Sequence, residues 1–281
     1  MTRNVDVLTS STLKHLRERW WDESFTNFLK DTLQPKSGRR ILDVGCGTGT
    51  AEVNLSRLRL TQVNLVAVDL LLERVAAALA AARATNFRAR FAVADACALP
   101  FPNASFDSTF CVAVLQHIND APRAVGEMAR VTRPTGRVLA VEPDNAARYF
   151  YSSTAEGMEA HDAAARLFAT IQEALGEAGD PGIGPRLPTL FAQSGIEPLS
   201  VHLFPVSRAQ LGVPPDEVWE ERRQAVRDAI DRAPGESIRR LGQDYLKLID
   251  RYAAAAGAAG PSFVEIQNTM LFATVGQRAE Q

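Results

Sequence analysis

The run Ile41-Leu42-Asp43-Val44-Gly45-Cys46-Gly47-Thr48-Gly49-Thr50 constrains this chain more than any other. It reads as a short apolar strand that breaks into three alternating glycines and passes directly into a helix. Glycine has no Cβ, so such a turn can take positive φ and a ligand can lie against bare backbone. The helix beyond it offers unpaired N–H groups and the positive end of its dipole. In an α/β sheet, a crevice of this kind holds a nucleotide-like cofactor.

The surrounding pattern agrees. From Arg40 onward, strand windows at 41–44, 65–69, 89–94, 106–114 and 137–142 alternate with helix windows at 49–58, 71–84 and 120–132. Strands alternating with helices predict parallel βαβ units with right-handed crossovers. Before them, Leu13, Leu16, Trp20, Phe25, Phe28, Leu29 and Leu33 fall at helical spacing, predicting a helical segment over 11–34 that Pro35-Lys36-Ser37-Gly38 stops. After Glu142 the rhythm changes. Helices are expected at 155–178, 186–194, 215–232 and 236–256, strands at 197–206 and 263–275, and a break at Asp180-Pro181-Gly182-Ile183-Gly184-Pro185. The organisation expected is one domain over 1–281, with a core at 39–144 and helical cap insertions at about 145–184 and 207–260.

Composition narrows the class. A chain of 281 residues can bury a sizeable core, and its net charge of −2 gives no pull toward nucleic acid or anionic membrane. Cys46, Cys97 and Cys111 have no metal-ligand spacing, so no metal is expected, and their odd number argues against a disulfide framework. Cys97 and Cys111 read as small buried hydrophobes flanking a strand. The first residues lack a signal-peptide pattern, and no apolar run approaches the roughly 20 residues that span a bilayer. A soluble, cytoplasmic protein is expected, monomeric or homodimeric.

The glycine pattern differs from the G-x-G-x-x-G of nicotinamide and flavin enzymes, because Thr50 takes the last slot and Asp43 precedes the first glycine. This D-x-G-x-G-x-G run resembles the first motif of class I S-adenosylmethionine (SAM) methyltransferases, of the type that acts on small molecules. The segment Phe91-Ala92-Val93-Ala94-Asp95-Ala96-Cys97-Ala98-Leu99-Pro100-Phe101-Pro102 is similar to the family's second motif, and Val112-Ala113-Val114-Leu115-Gln116-His117-Ile118 to the segment after strand four. The matches cover residues 40 to about 142. The resemblance implies a Rossmann-like α/β fold: a seven-stranded, mostly parallel sheet with one antiparallel strand, helices on both faces, and helical caps.

It also implies roles for residues. Asp43, Gly45, Cys46, Gly47 and Gly49 form the cofactor turn. Asp69, which ends the second strand, hydrogen-bonds ribose hydroxyls, with Leu70 against the adenine; a second reading of Asp69 is an N-cap for the helix from Leu71. Asp95 accepts the adenine amino group and Ala96 supplies backbone; the other reading of Asp95 is a turn residue. Val114 and Leu115 contribute backbone and wall under the methionine part. Trp20 shields the sulfonium by a cation–π contact, or else Trp20 and Trp21 are core aromatics.

Methyl transfer needs alignment and exclusion of water more than a dedicated base. If there is a base, His117 is the candidate, at a strand's C-terminal end and with an ordinary histidine pKa near neutrality. Glu142 and Asp144 are expected to face the crevice and meet a polar or cationic acceptor. Arg148 and Tyr149, and less strongly Tyr151 and Arg186, are lid candidates for the acceptor; His161 and His202 read as structural. The expected activity is SAM-dependent methylation of a small natural-product or lipid-like acceptor, leaving S-adenosylhomocysteine. Three alternatives stay open: a SAM fold repurposed for a reaction such as cyclisation, an NAD-dependent oxidoreductase, and a noncatalytic SAM-binding module.

Overall fold

The computed structural model describes residues 20–35, 37–57, 63–175, 179–232 and 235–280. Its elements are α1 (Glu23–Leu33), β1 (Arg40–Val44), α2 (Thr50–Arg57), β2 (Asn64–Asp69), α3 (Leu72–Ala84), β3 (Ala89–Val93), β4 (Phe106–Val112), α4 (Ala121–Val131), β5 (Thr132–Pro143) and β6 (Tyr149–Ser152). They are followed by α5 (Ala155–Leu175), α6 (Leu187–Gln193), β7 (Ile196–Leu211), α7 (Asp216–Arg232), α8 (Glu236–Ala259) and β8 (Val264–Arg278). Of the expected helical segment over 11–34, positions 11–19 lie outside the described residues. The described part starts at Asp22, whose carboxylate accepts the Phe25 N–H at 2.7 Å and caps α1.

The described residues divide into two compact units, one within 20–146, 179–204 and 270–280 and the other within 147–175 and 205–269. In the first, strands follow the order β3-β2-β1-β4-β5-β8. They are parallel except β8, which is antiparallel to β5. The pleat sends successive side chains to opposite faces. Leu42 and Val44 of β1 join Val125 and Met128 of α4 and Leu187 and Phe191 of α6 in one core. Asp43, between them in sequence, points to the opposite face, where it meets α2. Ala67 of β2 packs with Ala78 of α3 in that layer.

In the second unit, Leu167 and Ile171 of α5, Trp219 and Val226 of α7, and Ile249 and Tyr252 of α8 share a separate core with Phe263. β6 pairs antiparallel with the start of β8, Tyr149 opposite Asn268 and Ser152 opposite Glu265. With β7 also pairing β8, the described residues form eight strands where seven were expected. β5 starts five residues earlier than expected. Thr132 lies opposite Phe106, and the register shifts between Phe106 and Ser108, so Pro134 is carried at an irregularity rather than inside a regular ladder. No helix among the described residues is long and apolar enough to cross a membrane.

Candidate functional site

The glycine turn after β1 has the backbone its sequence demands. Gly45, Gly47 and Gly49 take φ of 79°, 55° and 87°, where L side chains are strained. Two of them are also hemmed in: a Cβ on Gly45 would lie 2.4 Å from Val114 Cγ2, and one on Gly49 2.9 Å from the Ala78 Cα. The Gly45 and Cys46 N–H groups donate to the Val68 carbonyl at 2.7 and 2.9 Å, tying the turn to β2.

Asp69 closes the other side. One carboxylate oxygen accepts the Gly47 N–H at 2.9 Å and the other accepts the Leu71 N–H at 3.0 Å, so the side chain braces the turn and the approach to α3. Leu70 and Val93 stay open beside it, 51% and 48% exposed, although both are large and apolar. Val93 is the register partner of Asp69 across β2 and β3, so an apolar lip adjoins the carboxylate. Past β3, Asp95 accepts the Cys97 N–H at 2.8 Å in a tight turn that carries Ala96. Glu127 and Arg130 of α4 hold the next loop: Glu127 accepts the Leu99 N–H at 2.7 Å, and Arg130 donates to the Leu99 and Phe101 carbonyls and to Asn103. Cys97 is only partly buried, with Sγ 3.6 Å from the Asp120 carbonyl, whereas Cys111 is fully buried in β4.

After β4, Ala113 takes a left-handed φ of 56°, an uncommon setting for a residue with a Cβ. It turns the chain so that the N–H groups of Val114, Leu115 and Gln116 all donate to the Glu142 carboxylate, at 2.7, 2.7 and 3.5 Å. Glu142 is wholly buried. The expectation that it faces the crevice and meets an acceptor is therefore corrected, because its carboxylate is enclosed and engaged by backbone. The Leu115 side chain is likewise in the core rather than on a wall. Val114 lies only partly buried over Gly45, and His117 sits partly exposed at the end of the short 3₁₀ turn Leu115–His117.

Asp144 uses one oxygen locally, accepting the Ala146 N–H at 3.1 Å. Asn145 donates to the Gln116 side chain at 2.6 Å. Trp20 is partly exposed before α1, while Trp21 is buried edge-on against Phe25 at 5.0 Å. Arg148 and Tyr149 are exposed and belong to the second unit, as does Tyr151 on β6. Arg186 is paired with Asp180. Both histidines read as structural have ring contacts: His161 stacks on Phe150 at 4.3 Å, and His202 tilts on Phe28 at 4.7 Å.

One acid went unread in the sequence. Glu52, in the first turn of α2, is completely buried and meets Asp43. Burial above all, then the charge of Glu52 and the contact with it, then Asp69, hold the Asp43 carboxyl well above the usual carboxylate range. Burial pushes Glu52 up to about 7. The available signal was its spacing, three residues before Leu55 on the inward face of α2.

Residues 42–140 match the family model described as a methyltransferase domain. An O-methyltransferase of Pyrenophora dematioidea is 34% identical over 116 residues, 41% of this chain and 43% of that protein. A demethylmenaquinone methyltransferase of Deinococcus radiodurans is 37% identical over 106 residues, 38% of this chain and 44% of that protein. The chain thus aligns with less than half the length of these curated relatives. Among solved structures, a Bacillus halodurans C-125 protein superposes with a TM-score of 0.58 at 15% identity, covering 92% of this chain and 100% of that one. The [4+2]-cyclase SpnF superposes at 0.53 with 18% identity, covering 92% and 81%. Strand order, glycine turn and family match converge on residues 42–140, which are similar to a methyltransferase domain.

Proposed function

We propose that the protein transfers the methyl group of SAM to a small-molecule acceptor. The observation that carries this reading is the arrangement of Asp43, Asp69 and Asp95, at or just past the C-terminal ends of β1, β2 and β3, around a turn of positive-φ glycines. The donor set suits SAM: carboxylates for an ammonium and for ribose hydroxyls, and the open apolar surfaces of Leu70 and Val93 for adenine. When bound, SAM supplies a methyl group already activated on a cationic sulfur.

The chain's own contribution is positional. Asp69 grips the Gly47 N–H, and a carboxylate's roughly four acceptor positions allow it to take ribose hydroxyls as well. Gly45, Cys46, Gly47 and Gly49 keep side chains out of the cofactor's path. Asp95 and Ala96 form the adenine end, in a turn that the Cys97 N–H closes onto Asp95. Glu142 acts from beneath, fixing Val114 and the turn to His117 without touching the acceptor. His117 is the proposed base where the acceptor carries a proton to remove, and Asp144 is the proposed acceptor contact, with Trp20 over the sulfonium. The acceptor class draws support from the relatives, one named an O-methyltransferase and another a demethylmenaquinone methyltransferase.

The deciding experiment incubates the protein with metabolite extract and SAM carrying a deuterated methyl group. Mass spectrometry is expected to find that methyl in a small organic product, together with S-adenosylhomocysteine. His117→Ala is expected to slow turnover by about 10²-fold while changing SAM affinity little. Cofactor bound tightly but never demethylated with any extract would sink the methyl-transfer reading in favour of a repurposed fold.

A further inference from the structure

The first turn of a helix is where acids ordinarily sit in water, facing the positive end of the dipole. Glu52 occupies that turn in α2, yet none of its surface is exposed, and neither carboxyl oxygen has a hydrogen-bond partner of ordinary geometry among the described residues, the backbone group acting on it being its own N–H. The polar group it meets is the Asp43 carboxyl, itself 2% exposed at the end of β1. Two ionised carboxylates offer only acceptors to one another. Their contact becomes a hydrogen bond when one of them holds a proton.

The surroundings favour that proton. The charges acting on Asp43 are those of Glu52 and Asp69, both acids, and Asp69 is fixed in place by the Gly47 and Leu71 N–H groups. Cys46 beside the turn and Cys111 on β4 are kept as neutral thiols, burial being the main cause for each. On α3, burial pushes the Arg74 guanidinium down. Two like charges in an enclosed space cannot both ionise easily, and an opposite charge arriving nearby reverses that preference.

We propose that Glu52 is a further residue of the cofactor site: it shares one proton with Asp43, and a cationic ligand arriving at the glycine turn drives that proton into solvent. The inference rests on the reading of this site as one for SAM. The step balances simply: a singly protonated carboxyl pair and a cationic ligand give a doubly ionised pair, the bound ligand and one free proton. No covalent bond other than O–H is broken. Glu52 is thus a positioning residue, setting the charge of Asp43 rather than the chemistry of transfer.

Titration calorimetry of the whole protein with SAM tests this, run near pH 6.5 in two buffers that differ in ionisation enthalpy. The ligand's ammonium, ordinarily titrating at about 7.7–8.0, stays protonated there, and its sulfonium cannot titrate. The binding heat is expected to depend on the buffer, corresponding to release of up to one proton. SAM affinity is expected to rise as much as tenfold per pH unit between about pH 5 and 7 and then level off. In Glu52→Gln the like charge is gone and the amide can donate to Asp43, so both the release and the pH slope shrink. Should that variant fail to fold, Glu52→Met, close in volume and uncharged, takes its place with the same expectation. Tight SAM binding to the wild-type protein with buffer-independent heat overturns the proposal and leaves the cofactor reading standing. Undiminished release in a folded Glu52→Gln overturns it as well. Absence of SAM binding to the wild-type protein overturns both.

Discussion

At the residue scale, the glycine turn does two jobs that a sequence pattern reports as one. Gly45 is needed for its φ of 79° and also because Val114 leaves no room for a Cβ. These costs are separable. Gly45→Ala should destabilise by about 3 kcal/mol, roughly 1–2 from the left-handed backbone and the rest from overpacking against Val114. Adding Val114→Ala should recover the packing part and leave the backbone part, so the pair should be less destabilised than the sum of the single variants. Denaturant melts of the four proteins in a double-mutant cycle check this, and strict additivity would mean that Val114 is not the obstacle. Asp43, Gly47, Asp69 and Asp95 were legible as a set because each lies in or just after a strand window and the family resemblance marks it out. Glu142 and Glu52 were not legible. The first is set by the register of β5 against the turn after β4, the second by which face of α2 turns inward, and both are non-local facts.

At the scale of elements, the second unit is organised around a buried charge. Glu265 at the start of β8 is 1% exposed and receives two bonds from Arg222 of α7, at 2.7 and 2.9 Å. It also accepts the Tyr252 hydroxyl of α8 at 2.6 Å and the Gln267 side chain at 2.9 Å. Arg222 in turn lies over the Trp219 ring at 4.9 Å. Burial works against the Glu265 charge, but the Arg222, Tyr252 and Gln267 bonds prevail and hold its carboxyl below the ordinary range. Arg222→Met leaves that charge uncompensated and should cost about 3–5 kcal/mol, while Arg222→Met with Glu265→Met should restore much of the loss. Equal losses in the single and double variants, measured by urea unfolding, would show that packing rather than charge is at stake. The helices of this unit were readable because Ile238, Ile249 and Tyr252 fall on one stripe and Pro214, Pro215 and Asp216 mark a start. β6 was not. Tyr149–Ser152 is four residues long, has no turn signal of its own, and pairs with residues more than a hundred positions away.

At the scale of the whole molecule, the Asp43–Glu52 pair makes stability depend on pH in a sense opposite to most acids. A carboxyl whose folded pKa is raised holds its proton in the folded protein after the unfolded chain has lost it. Its stabilising contribution is complete below the unfolded value of 4.5 and is lost as pH rises to about 7. Glu265 and Glu127 have lowered values, so their contributions change only below the ordinary carboxylate range and stay constant across this window. His161, lowered mainly by burial, adds stability as pH rises toward the ordinary histidine value of 6.5, and it does so equally in wild type and in a Glu52 variant. The difference between Glu52→Gln and wild type therefore reports what Glu52 adds to the pair. Between about pH 5.5 and 7 the wild-type protein should lose up to about 2 kcal/mol relative to the variant, at up to about 1.4 kcal/mol per unit. Guanidinium melts across the range measure it, and parallel curves would mean that the pair carries no shared proton. Saturating SAM sharpens the test. If the cation empties the pair of its proton, folded and unfolded states then bind equal numbers, and the wild-type slope should flatten to that of Glu52→Gln. Binding that left the slope unchanged would place the cofactor's charge too far from β1 for Asp43 to sense it.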